Sequence, residues 1–155
     1  MVEMLNRFFG VVVSVVEEEG GLVNKFEGDA ALCIFGAPVD IDEPETAALR
    51  TARRIRDQVC GAGEFDIGIG VSSGHVVAGQ IGAASRLEYT VIGDAVNEAS
   101  RLTDLAKACP SRVLASEETV LAASDDERSH WTKTDAVTLR GRDTPTQTYT
   151  TGPDC

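Results

Sequence analysis

A strand, a turn and a helix are predicted in immediate succession by Tyr89-Thr-Val-Ile-Gly-Asp-Ala-Val-Asn-Glu-Ala-Ser-Arg101. Asn97 and Arg101 are four residues apart in this helix, a spacing that puts both side chains on one helix face. The amide of Asn97 forms neutral hydrogen bonds, and the guanidinium of Arg101 carries five donors and a permanent charge. This pair suits negative charge that develops on a phosphate during a reaction. Taken alone, an arginine on an exposed helix face is usually a solvated surface charge.

The composition indicates one ordinary domain over residues 1–155. Hydrophobic residues make up 43% of the chain and charged residues 25%, which is sufficient for a core. The net charge is −11, from 25 acidic and 14 basic residues. An acidic chain without a basic patch repels nucleic acid, so a nucleic-acid partner, and with it a ferredoxin-like RNA-binding domain, is disfavoured. A polyanionic substrate such as a nucleoside triphosphate would need divalent metal ions to offset this repulsion.

The cysteines show neither a CxxC motif nor the spacing of a zinc site. They are Cys33, Cys60, Cys109 and Cys155. Cys33 lies in an apolar run and Cys60 ends a predicted helix, which favours reduced thiols and a cytoplasmic location. The apolar run over residues 8–16 is too short to span a bilayer, so no membrane contact is predicted from this segment.

The hydrophobic pattern predicts an α+β domain in which helices lie against a largely antiparallel sheet. Helices are predicted over residues 2–19, about 42–60, about 95–107 and 117–123. Strands are predicted over residues 22–26, 30–35, 65–71, 75–80, 87–91 and 113–115, with paired strands in the tail over 137–150. Asp42 and Asp94 are the candidate caps of the second and third helices. The glycines that alternate with Ile67, Ile69 and Val71 permit close backbone approach.

A second motif, Asn24-Lys-Phe-Glu-Gly-Asp29, predicts a hairpin whose turn contains Gly28 and Asp29. A turn aspartate most often serves the turn itself, and a strand lysine most often extends into solvent. Together with residues 89–101, however, this motif resembles the class III nucleotidyl cyclases, in their bacterial adenylyl cyclase branch. Gly74-His-Val-Val-Ala-Gly79 also looks like a segment of that family. The resemblance covers nearly the whole chain and implies the ferredoxin-like nucleotidyl cyclase fold.

The resemblance implies substrate-binding roles for Lys25 and Thr90. Lys25 matches the family's base-selecting lysine, and its ammonium can only donate, so it suits adenine N1, which accepts, and repels the N1–H of guanine. The hydroxyl of Thr90 can accept from the adenine 6-amino group or donate to a guanine carbonyl, so it permits either base. The implied substrate is therefore ATP, converted into cyclic AMP and pyrophosphate.

The resemblance also implies the catalytic residues. Asn97 would orient the ribose and Arg101 would neutralise charge on the α-phosphate. Asp29 matches one of two aspartates that bind a pair of Mg²⁺ or Mn²⁺ ions. Arg140 or Arg142 matches a basic position that contacts the terminal phosphates, with the alternative that either is a solvated hairpin arginine. His75 is interpreted as structural.

The family's first strand, which carries the other metal aspartate, has no counterpart here, and the chain is interpreted as N-terminally truncated. Asp66 follows the hairpin and is therefore in the wrong order to replace that aspartate. A truncated chain is expected to be weakly active or inactive alone. Family sites form between two protomers, so a homodimer is expected, and an unpaired sheet edge would favour domain swapping.

Two functional hypotheses follow. The first is an adenylyl cyclase catalytic domain, either cytoplasmic or the cytoplasmic part of a larger membrane-bound protein. The second is a non-catalytic module that binds nucleotide, dimerises and regulates a partner cyclase.

Overall fold

The computed structural model describes residues 2–63, 66–83 and 86–153, and the predicted α+β class is confirmed. In this part of the chain the helices are α1 (Val2–Glu18), α2 (Pro44–Ala62), α3 (Asp94–Ala106), α4 (Glu117–Ala122) and α5 (Asp125–Arg128). The strands are β1 (Leu22–Glu27), β2 (Ala30–Ile34), β3 (Ile69–Val71), β4 (Val77–Ala83), β5 (Arg86–Ile92), β6 (Val113–Ser116), β7 (Trp131–Lys133) and β8 (Thr148–Thr151). None of the described helices is both long enough and apolar enough to cross a bilayer.

The strands form one four-stranded sheet and two separate hairpins. The sheet has the order β3-β6-β8-β7, in which only the β3–β6 pair is parallel. The hairpins are β1–β2 and β4–β5. The paired strands predicted in the tail are reduced to a single bridge between Val137 and Thr146, because β8 pairs with β6 and β7 instead. The sheet is thus largely antiparallel, as predicted.

The helices pack through the apolar faces that their sequence spacing predicts. Val12, Val15 and Val16 of α1 are buried against Ile55 and Val59 of α2. These positions recur three and four residues apart, so they form one continuous stripe on each helix. The packing of α1 on α2 places the β1–β2 hairpin, which follows α1 directly.

Helix α3 lies unusually close to strand β3 because two glycines face it. A methyl group built on Gly70 would lie 2.4 Å from the carbonyl oxygen of Ala99, and one built on Gly68 would lie 2.4 Å from that of Thr103. Both distances are far below van der Waals contact, so only glycine fits. The predicted close backbone approach is confirmed, and it fixes the height of α3 above the sheet.

We expect Gly70→Ala to lower the free energy of unfolding by about 1–3 kcal/mol, because the added methyl group overpacks the interface between β3 and α3. Urea denaturation measures this change. Gly10→Ala is the matched control, since nothing lies within 4 Å of a methyl group built at Gly10 in α1. The control should be neutral or stabilising by up to about 1 kcal/mol. Equal changes in the two variants would contradict the prediction.

Both predicted helix caps are wrong. Helix α2 begins at Pro44 and its cap position is Glu43, which has a φ of 51° and no side-chain cap bond. Proline favours the first helical position, which moves the start of the helix beyond Asp42. Asp94 is the first residue of α3, after a cap position at Gly93 without a side-chain bond. Its carboxylate is instead engaged by Arg142.

The prediction of reduced cysteines holds for Cys33 and Cys109, which are free thiols, and is wrong for Cys60, which is disulfide-bonded. Burial of the Cys33 thiol beside β1 and α1 raises its pKa to about 11. Cys155 lies outside the described residues.

Candidate active site

The β1–β2 hairpin carries two of the predicted site residues. Asp29 is exposed in the two-residue turn between Glu27 and Ala30, and Gly28 before it has a φ of +60° that glycine adopts freely. Lys25 Nζ lies 2.8 Å from Glu27 Oε1, and both side chains are more than half exposed. An exposed ion pair of this kind contributes little stability, so a ligand can compete for the lysine.

Strand β1 is attached to strand β5 by one side chain. Asn24 Nδ2 donates a 2.9 Å hydrogen bond to the carbonyl oxygen of Tyr89. Asn24 precedes Lys25 and Tyr89 precedes Thr90, so this bond links the two separate hairpins that carry the predicted base-contacting residues. Thr90 is half-buried and pairs with Gly79 across the β4–β5 hairpin. The role of Asn24 was not predicted, because the bond joins residues 65 positions apart.

Helix α3 carries the other predicted pair. Asn97 is exposed and Arg101 is half-buried one turn later. The guanidinium of Arg101 lies beside the turn formed by residues 139–142, since a methyl group built on Gly141 would lie 3.7 Å from Arg101 Nη2. Arg140 is exposed in the same turn. The turn therefore places Arg140 and Arg101 in one neighbourhood.

Arg142, the alternative to Arg140, is held by acidic side chains of α3. Its guanidinium donates to Glu98 and to Asp94, and also to Thr146 Oγ1 at 3.1 Å. Burial acts to lower the pKa of Arg142, but the hydrogen bond to Glu98 and the charges of both carboxylates outweigh it, so the pKa is raised. Arg142 therefore remains charged and paired, whereas no ion pair of Arg140 occurs among the described residues.

Glu98 was missed as a candidate, although the sequence carried a signal for it. Glu98, Leu102 and Ala106 are the buried residues of α3, so a glutamate occupies the apolar stripe of the helix. A charged residue in such a position needs a partner. Here the partners are Arg142 and the hydroxyl of Ser72.

His75 is exposed at the edge of an open cavity of about 270 Å³, and its backbone lies close to Gly93 at the start of α3. The lining of that cavity includes Glu45, Ser73 and Glu118 and none of the predicted site residues. The structural role predicted for His75 stays a prediction.

Residues 1–151 match the model of a family described as the adenylate and guanylate cyclase catalytic domain. The chain belongs to this family.

The relatives of this cyclase domain include both substrate types. An uncharacterized protein of Mycobacterium tuberculosis is 53% identical over 148 residues, which cover 95% of the domain and 28% of that protein. A bacterial light-regulated adenylyl cyclase superposes with a TM-score of 0.80 at 26% identity, covering 97% of the domain and 43% of that chain. The guanylyl cyclase Cya2 superposes with a TM-score of 0.72 at 27% identity, covering 99% of the domain and 81% of that chain. The domain thus spans little more than a quarter of its curated mycobacterial relative.

Cyclases of this family generally use divalent metal ions. Across residues 2–63, 66–83 and 86–153, no group of three or more histidine, cysteine, aspartate or glutamate side chains is placed to hold a metal ion. Asp29 offers one exposed carboxylate, whereas a hard cation such as Mg²⁺ takes about six oxygen ligands. The described side chains of a single protomer therefore do not fit a pair of metal ions.

Proposed function

We propose that this cyclase domain is an adenylyl cyclase that converts ATP into cyclic AMP and pyrophosphate. The observation that carries the proposal is the hydrogen bond from Asn24 to the carbonyl of Tyr89, because it links the strand of Lys25 to the strand of Thr90. The exposed ammonium of Lys25 is then available to a base that contacts both strands. Membership of the family supports the reaction type but leaves open whether the substrate is ATP or GTP.

Adenine fits this pair of side chains better than guanine. The ammonium of Lys25 has three donors and no acceptor, so it satisfies the acceptor N1 of adenine and meets the N1–H of guanine with a second donor. An unpaired donor facing another donor in a binding site is a strong element of discrimination. The Thr90 hydroxyl completes the match by accepting from the 6-amino group.

In the proposed reaction, the ribose 3′-hydroxyl attacks the α-phosphate. A bond forms between O3′ and the phosphorus, the bond to the pyrophosphate oxygen breaks, and the hydroxyl proton is released to solvent. Arg101 stabilises the charge that builds on the α-phosphate, and Asn97 orients the ribose from the same helix face. Arg140 contacts the terminal phosphates of ATP.

We further propose that the complete site forms between two protomers. Asp29 lies on a hairpin tip and is exposed, so a second chain can face it. In this arrangement Asp29 of one protomer opposes Lys25, Asn97 and Arg101 of the other.

Synthesis of cyclic AMP tests the proposal. This domain and the full-length protein of its gene would be supplied with Mn²⁺ and either ATP or GTP. We expect faster turnover of ATP than of GTP and a marked loss of that preference in Lys25→Gln. Lys133→Gln is the control and should keep the preference, because Lys133 is an exposed lysine that pairs with Glu117 and belongs to neither predicted motif. Preference for GTP, or silence of both folded proteins with either nucleotide, would overturn it.

A second candidate function is favoured by the lack of a grouped set of metal ligands among the described residues. A domain with an incomplete metal site can bind nucleotide and dimerise without turnover, and so regulate a partner cyclase. This candidate predicts that ATP raises the melting temperature while no cyclic nucleotide forms. Asp29→Ala should then leave the ATP-dependent stabilisation unchanged. Absence of any stabilisation by ATP would remove this candidate.

A further inference from the structure

A buried ion pair connects three separate segments around α3. Glu98, in the middle of α3, is only 7% exposed and accepts hydrogen bonds from Ser72, just after β3, and from Arg142, in the turn over residues 139–142. Arg142 also donates to Asp94, one turn earlier in the same helix. Helix α3, which carries Asn97 and Arg101, is thereby joined to the sheet and to the turn.

Arg142 has little capacity left for a substrate. One of its terminal nitrogens is shared by Glu98 and Thr146, and the other is held by Asp94. Withdrawing Arg142 toward a phosphate would leave the Glu98 carboxylate buried without its cation, which is strongly unfavourable. Arg140, which is exposed in the same turn, is the arginine that remains available to a phosphate.

The turn that Arg142 anchors lies against Arg101. The Arg142 N–H donates to the carbonyl of Leu139 at 3.0 Å and closes the turn. Leu139 is buried against Leu102 of α3, so the turn is fixed at both of its ends. Gly141, between these anchors, lies close to both terminal nitrogens of Arg101, as a methyl group built on it would be 3.7 and 3.9 Å from them.

We propose that Arg142 is a positioning residue of the cyclase site, which acts through the turn. The Arg142–Glu98 pair holds Gly141 against the Arg101 guanidinium and so restricts the rotamers of Arg101 to those that suit the developing charge on the α-phosphate. Arg142 itself does not contact ATP. This inference rests on the proposed function for its chemical meaning, but the contact between the turn and Arg101 is independent of it.

Steady-state kinetics distinguish the positioning role proposed for Arg142 from the phosphate contact proposed for Arg140. Arg142→Gln should lower kcat at least tenfold with less than a threefold change in KM for ATP, because it loosens a group that acts in the transition state. Arg140→Gln is the matched substitution two residues away, and it should raise KM instead. An equal rise of KM in both variants would overturn the inference, because Arg142 would then be a phosphate contact.

A spectroscopic readout tests the inference even if the domain shows no turnover. The side-chain ¹⁵Nε resonance of Arg101, assigned by its absence in Arg101→Lys, should shift or broaden in Arg142→Gln and stay in place in Arg140→Gln. The double variant Glu98→Leu with Arg142→Met guards against loss of folding, since it leaves no buried charge unpaired. Its Arg101 resonance should be displaced as well. An unchanged resonance in either folded variant would overturn the positioning role, whereas absence of cyclic AMP from the unmodified protein would overturn the proposed function alone.

Discussion

Arg101→Ala should lower the kcat of cyclic AMP synthesis by about 10²–10³-fold, the typical effect of removing one preorganised donor from a transition state. Arg101 is half-buried on the face of α3 that also carries Asn97, beside the turn at Gly141. In the proposed site, a charge in this partly desolvated position would stabilise the α-phosphate more than an exposed arginine would. We expect KM for ATP to change much less than kcat, because the interaction strengthens as charge develops.

Steady-state kinetics of the full-length protein measure this effect, with thermal melting as the check on folding. Arg128→Ala is the control, because Arg128 lies on α5 and pairs with exposed Asp125 in its own helix. The control should retain its activity. A loss below about fivefold in a folded Arg101→Ala protein would contradict the role of Arg101 as the residue that stabilises the transition state.

Glu127→Ala should lower the free energy of unfolding by about 3–5 kcal/mol, the usual cost of removing one partner of a buried ion pair. Glu127 is 2% exposed and accepts two hydrogen bonds from Arg53, at 2.6 and 2.7 Å. It also accepts a 2.8 Å bond from the indole N–H of Trp131. The substitution therefore leaves a guanidinium and a buried indole donor without their acceptor.

Urea denaturation measures this loss, and Glu118→Ala is its control because Glu118 is exposed on α4. The control should change stability by no more than about 0.5 kcal/mol. The double variant Arg53→Met with Glu127→Leu should recover much of the stability, since an apolar pair of similar volume carries no desolvation penalty. A loss below about 1 kcal/mol in Glu127→Ala would show that the ion pair is dispensable.

The fold was largely predictable where local pattern and packing agree. The 3.6-residue periodicity of α1 and the Gly28-Asp29 turn both specify their elements from neighbouring residues alone. The helix α5 and the strand β7 were not predicted, because each is too short to show a period. They depend on Glu127 and Trp131, whose contacts with α2 and with each other exist only in the folded chain.

The candidate site was predictable as a set of residue types and not as an arrangement. Lys25, Thr90, Asn97 and Arg101 lie in two short motifs, so sequence reasoning could find them. Asn24 and Glu98 connect those motifs to distant segments, through bonds that span 65 and 44 positions. No local pattern specifies such partners, although a glutamate in an apolar helical stripe indicates that one exists.

The separate β4–β5 hairpin gives the proposed site two parts of unequal rigidity. A two-stranded ribbon outside a larger sheet is only marginally stable by itself, whereas α3 is packed against β3 without a gap. Thr90 therefore lies on an element that can open locally at low cost, while Arg101 lies on one whose opening costs more. If the proposed roles hold, the base would be recognised from a support that opens locally, while the charge-stabilising group would keep its position.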